Sequence, residues 1–123
     1  MLIGIFLGAL SIILGAFAAH GLENKISLDA QGTFETGAKY QMYHALLLIL
    51  IGQLDKISEK SKKQLSILIL MGVLFFSGSI YLLATNELTA FDFKVIGFVT
   101  PIGGLILIFS WMLLGYKIVK VKS

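Results

Sequence analysis

From Met1 to Ala19 the chain carries no charged side chain, and long apolar stretches recur three more times. A helix needs about 20 mostly apolar residues to cross roughly 30 Å of hydrocarbon. The stretches fall at about 1–19, 38–54, 65–84 and 101–118, which predicts an all-α chain: an integral membrane bundle of four transmembrane helices. Composition bears on this, since 57% of residues are hydrophobic and 14% charged, whereas a soluble domain is about one quarter charged. A water-soluble core of this size could not hide so much apolar surface, but lipid can cover it. No internal repeat and no Pro-, Gly- or Ser-rich linker divides residues 1–123, so a single domain is expected.

Two boundaries need a decision. Ala16-Phe17-Ala18 resembles a signal-peptide cleavage site, yet no lysine or arginine precedes the apolar run, so the first span is expected to stay in place. For the fourth span, Thr100 reads as an N-cap and Pro101 as the first helical residue, where a missing N–H costs little. Residues 91–99 then form a connection at the membrane surface, with Asp92 and Lys94 turned to water.

Lysines set the orientation. Lys56, Lys60, Lys62, Lys63, Lys117, Lys120 and Lys122 fall on one side of a four-span bundle, and only Lys25, Lys39 and Lys94 on the other. The richer side is the cytoplasmic one, so both termini are expected there, N-in and C-in.

Several functions are disfavoured by what the chain lacks. Without cysteine there is no disulfide, thiolate metal site or cysteine nucleophile. The net charge of +3 comes from lysines scattered at helix ends, with no basic face or aromatic platform for nucleic acid. No nucleophile–base pair, phosphate-binding glycine loop or paired intramembrane carboxylate is present, so neither an enzyme nor a cofactor is expected. Every acid lies in a loop or at a helix boundary, which also argues against an ion-coupled transporter.

In lipid, helices associate through close packing and polar contacts rather than through apolar burial. Gly4 and Gly8, then Ser11, Gly15 and Ala19, form a small-residue face on the first span; Thr100, Gly103 and Gly104 repeat the theme on the fourth. These glycines pack the four helices together or form a subunit contact, and a homo-oligomer of two or three copies is expected. The other expected partners are membrane lipids.

Polar residues crowd into the outer half of the bundle: His20, Tyr40, Gln41, Tyr43, His44, Ser77, Ser79, Tyr81 and Thr100. On the second helix Phe34, Gly37, Gln41, His44, Leu48 and Gly52 step by three or four residues and share a face. Three readings fit this cluster. It can be structural, holding the bundle by hydrogen bonds. It can line a pocket, open to the outside, for a lipid headgroup, small solute or proton. It can hold a metal through His20, His44 and Glu23 or Glu35, although two histidines without a fixed motif are weak grounds for one. Tyr40 and Tyr43 are also ordinary headgroup-level aromatics, and Trp111 lies deep enough to be read as packing.

The motifs taken together have a parallel. Gly15-Ala16-Phe17-Ala18-Ala19-His20-Gly21-Leu22, Phe34-Glu35-Thr36-Gly37, Tyr40-Gln41-Met42-Tyr43-His44-Ala45-Leu46, Ser77-Gly78-Ser79-Ile80-Tyr81 and Thr100-Pro101-Ile102-Gly103-Gly104 cover nearly the whole chain. With Trp111, they resemble the family called domain of unknown function 423, the YgdD/YwdK-like bacterial proteins related to eukaryotic transmembrane protein 256. The resemblance implies a four-helix bacterial inner-membrane protein and brings no established activity. On its motif positions, any working site comprises His20, Tyr40, Gln41, His44, Ser77, Tyr81 and Thr100. The expected function is a non-enzymatic membrane protein with an outward-facing polar pocket for lipid or a small solute. The alternative is a minimal channel or carrier.

Overall fold

A computed structural model describes residues 1–89 and 92–122, with side chains as far as Lys120. All regular elements among the described residues are helical. Four are long: α1 (Leu2–Gly21), α2 (Leu28–Gln53), α3 (Glu59–Ala84) and α4 (Val99–Lys122). α1 and α3, and the segment Phe93–Lys120 that includes most of α4, are long and apolar enough to cross a membrane. α2 is equally long, but Lys39, Gln41 and His44 interrupt its apolar character, and continuous apolar residues begin only at Ala45.

Helix ends follow caps rather than hydropathy. α2 begins at Leu28, ten residues before the apolar run, because the Ser27 hydroxyl accepts the Ala30 amide at 3.0 Å and Asp29 stands in the first turn. α3 begins at Glu59 for the same reason: Ser58 accepts the Ser61 amide at 3.1 Å, and Lys62 pairs with Glu59 at 3.2 Å. Asn24, at φ 64°, makes the left-handed step between α1 and α2, a conformation asparagine tolerates.

α4 differs from expectation at its start. Thr100 does not cap it; the helix already includes Val99, and the Thr100 hydroxyl is hydrogen-bonded to Ser79 on α3. Pro101 still falls in the first turn, where its missing N–H has no intrahelical partner to lose. Of the connection expected at 91–99, Phe91 lies outside the described residues, and Phe93–Ile96 form a 3₁₀ turn. Asp92 organises it, accepting the Lys94 amide at 3.0 Å and the Asn86 side-chain amide at 3.2 Å. These donors, the Lys94 amide first, hold the Asp92 carboxyl below the usual carboxylate range.

The least apolar long helix is the most enclosed. Phe34, Gly37, Gln41, His44, Leu48 and Ile51 of α2 are all buried. Their apolar members contribute to two clusters. Phe34 packs with Ala18, Leu22 and Ala84; lower down, Leu48 and Ile51 pack with Leu65, Ile69 and Leu107. α1 and α4, by contrast, present Phe6, Ile12 and Ile13, and Leu105, Phe109 and Met112, to the outside. This inside-out distribution suits a lipid surround.

Two glycines permit close approach. A Cβ at Gly4 would lie 2.7 Å from the Ala45 carbonyl oxygen, and one at Gly103 would overlap the backbone of Phe75 and Phe76. Gly8 and Gly104 make ordinary contacts, while a Cβ at Gly15 would meet nothing. Equally tight positions occur at Gly37, against the Tyr81 ring, and at Gly72, against Leu107.

Candidate functional site

The Gln41 side chain joins three helices. Its Nε2 donates to the Leu7 carbonyl of α1 at 2.8 Å, and its Oε1 accepts the Tyr81 hydroxyl of α3 at 2.6 Å. One turn away, the Ser77 hydroxyl donates to the Gly37 carbonyl at 2.8 Å. Ser77 belongs to Leu74–Gly78, where α3 widens into a π turn. The same turn receives Gly103 of α4, and just beyond it Ser79 meets Thr100. A π turn shifts the register of the side chains that follow it, a device frequent at functional sites. Here it lets α3 bond to α2 on one side and accept α4 on the other.

His44 has a second environment. Its Nδ1 lies 2.7 Å from the Tyr40 carbonyl, and its Nε2 accepts the Trp111 indole N–H at 3.1 Å. A carbonyl only accepts and an indole N–H only donates. His44 is therefore assigned as the neutral tautomer with its proton on Nδ1. Both ring nitrogens are engaged. Among the described residues, no three His, Cys, Asp or Glu side chains gather to hold a metal.

Around this pair lies a groove of about 700 Å³ between α2 and α4. Tyr40, Tyr43 and His44 of α2, Phe76 of α3, and Gly104, Ile108 and Trp111 of α4 line it. Tyr40 stacks on Phe76, centroids 5.1 Å apart with planes inclined by 19°, and meets Tyr43 at 5.5 Å. Trp111 is 49% exposed and sets its ring edgewise to His44. Gly104 contributes no side chain to the groove, whose polar side-chain atoms come from Tyr40, Tyr43, His44 and Trp111.

The seven polar positions singled out in the sequence thus separate. Gln41, Ser77 and Tyr81 lie in the inter-helix network; Tyr40 and His44 line the groove; Thr100 pairs with Ser79; His20 is exposed at the end of α1 and lines neither place. Trp111 and Phe76 are groove residues that sequence reasoning missed. The available signal was Trp111 itself, a donor-only side chain at mid-span that needs an acceptor, with His44 at matching depth. Among the described residues, no buried side-chain nitrogen or oxygen lacks a partner.

Comparison with known proteins places this chain among relatives. The model of a protein family of unknown function, DUF423, matches residues 14–104. The chain is 40% identical over 118 residues to the UPF0382 membrane protein SSP2132 of Staphylococcus saprophyticus, covering 93% of this chain and 94% of that one. It is 38% identical over 126 residues to the UPF0382 membrane protein YwdK of Bacillus subtilis, covering 98% of each. A Haemophilus influenzae UPF0382 membrane protein is 37% identical over 117 residues, covering 94% of this chain and 90% of that one. No solved structure matches.

Proposed function

The chain belongs to the DUF423 family of membrane proteins, and on that footing we propose that its α2–α4 groove holds a hydrocarbon chain of an amphipathic membrane lipid. The observation that carries this reading is the groove itself: about 700 Å³, lined by the aromatic rings of Tyr40, Tyr43, Phe76 and Trp111 and by Gly104. That volume falls within the range of ligand pockets, about 300–1,000 Å³. Such a groove between spanning helices meets lipid hydrocarbon rather than water, and the tyrosine rim suits a molecule with one polar end.

In this reading all four helices span a bacterial inner membrane with both termini in the cytoplasm. α2 has 26 residues, about 39 Å at the usual rise, which is enough to cross. Its Gln41 and His44 side chains point into the bundle, as expected of uncharged polar groups on a helix in lipid. The lysine-rich α2–α3 connection and C-terminal turns share one end, which supports their cytoplasmic placement. A dimer or trimer fits the open small-residue face at Gly15, and efficient crosslinking in native membranes that yields only monomer would contradict it.

The alternative, a minimal channel or carrier, needs polar groups free to replace water along a path. The partners already held by Gln41, Ser77 and Tyr81 favour the lipid reading over it. Native mass spectrometry of gently extracted protein tests the proposal. A lipid adduct should persist on the wild type and be lost from Gly104→Leu, whose side chain would occupy the groove; at that site a Cβ meets only ordinary contacts with Phe76. An adduct unaffected by Gly104→Leu would refute the assignment.

A further inference from the structure

A second furrow, of about 250 Å³, lies between α1 and α2 and shares no residue with the α2–α4 groove. Ser11, Ile12 and Gly15 line it from α1, and Glu35, Lys39 and Met42 from α2. Its α1 residues stand six to ten positions short of Gly21, about 9–15 Å inside the end of a helix with no Asp, Glu, Lys or Arg. The two charges on α2 therefore lie well within the depth that α1 spans, and both are exposed on the single chain. Glu35 and Lys39 are four residues apart, the spacing at which a glutamate and a lysine pair along a helix. Yet among the described residues neither has an ion-pair partner. Unpaired charges at such depth are costly in lipid and are met by partners within a helix bundle. The single chain supplies none.

We propose that this α1–α2 face docks on the same face of a second copy of the chain, with Glu35 of each subunit pairing with Lys39 of the partner subunit. Charge selects the occupant. The face carries one acid and one base, so it is complementary to itself, as a two-fold contact requires. With the two-fold axis along the membrane normal, the two α2 helices run parallel at equal depth. Glu35 then differs in height from Lys39 of the partner subunit by four residues, about 6 Å. Long charged side chains span such an offset where they flank the seam of a parallel coiled coil. The furrow is bare at Gly15, where a Cβ would meet nothing within 4 Å. Ile12, 65% exposed at its edge, is the apolar side chain that enters the furrow of the other copy. A lipid headgroup fits less well, because it would have to leave the interface for the hydrocarbon to reach these charges.

The contact rests on the membrane reading and on the oligomer it includes, but is independent of what the α2–α4 groove holds. It is tested by co-expressing copies with two different affinity tags and capturing one tag after gentle extraction from alkali-washed membranes. Wild-type copies should co-purify, with a native mass of two chains. Glu35→Lys in both copies, or Lys39→Glu in both, sets like charges across the contact and should lose co-purification. Glu35→Lys in one copy with Lys39→Glu in the other should restore it, and that rescue also shows that both variants fold. Gly15→Phe has open space at its Cβ in the single chain and fills the furrow, so it should abolish co-purification while circular dichroism stays unchanged. Gly104→Leu should co-purify like the wild type. The proposal is overturned if wild-type copies do not co-purify, if their mass is that of three chains, if the charge reversals have no effect, or if the mixed pair is not rescued. Release of the wild type by the alkaline wash would overturn the membrane reading and this contact with it.

Discussion

Trp111 of α4 donates its indole N–H to Nε2 of His44 on α2, 67 residues away, while His44 Nδ1 faces the carbonyl of Tyr40 on its own helix. This hydrogen bond bridges two helices that otherwise stand apart across the groove. Trp111→Phe keeps most of the ring and removes the donor, leaving a half-enclosed nitrogen without a partner. Unfolding in mild detergent should become easier by about 1–3 kcal/mol, and the ¹⁵N signal of Nε2 should move. An unchanged imidazole spectrum in Trp111→Phe would show that the bond is not formed.

The Gln41 network should behave as a coupled unit. Tyr81→Phe removes one donor and should cost about 1 kcal/mol. Gln41→Leu should cost more, since it strands the Tyr81 hydroxyl. Because both act through the same bond, the double variant should be less destabilised than the sum of the singles. Strict additivity in thermal or denaturant unfolding would contradict the contact.

Glycine positions should differ sharply. Gly103→Ala forces a Cβ into the backbone of α3's π turn and should cost about 3 kcal/mol or prevent folding. Gly15→Ala meets open space and should be neutral or stabilising by up to about 1 kcal/mol, because alanine is the better helix former. Melting temperatures of the two variants in the same detergent decide it.

The α3–α4 connection should loosen in acid. The folded-state value of Asp92 is lowered by the Lys94 amide and the Asn86 side chain. A carboxylate lowered on folding contributes stability that is present above its ordinary value near 4 and lost as pH falls through its folded value. Amide exchange at Lys94 should therefore accelerate in the wild type below about pH 4 relative to neutral-pH protection, and Asp92→Asn should remove that pH dependence.

α1, α3 and α4 were legible because a membrane span demands length and apolarity, which their stretches of sequence show. The starts of α2 and α3 were less so, since Ser27 and Ser58 extend them through polar turns that a hydropathy argument discounts. The shared face of Gln41 and His44 followed from helical spacing, but their divergence did not. Gln41 turns to α1 and α3 while His44 reaches α4, a distinction fixed by inter-helix packing rather than by position along α2. The π turn at Leu74–Gly78 left no clear mark in the sequence, and it is what brings Ser77 and Gly103 to opposite sides of α3.

The most direct test of the groove uses Trp111, the single tryptophan in the chain. Titrating detergent-purified protein with a lipid carrying brominated acyl chains should quench its fluorescence along a saturating curve at about one lipid per chain. Gly104→Leu should lose that saturable phase while keeping the same helical content. Quenching that rises without saturation, and identically in both proteins, would mean that lipid only bathes the surface at Trp111 and that the groove holds nothing.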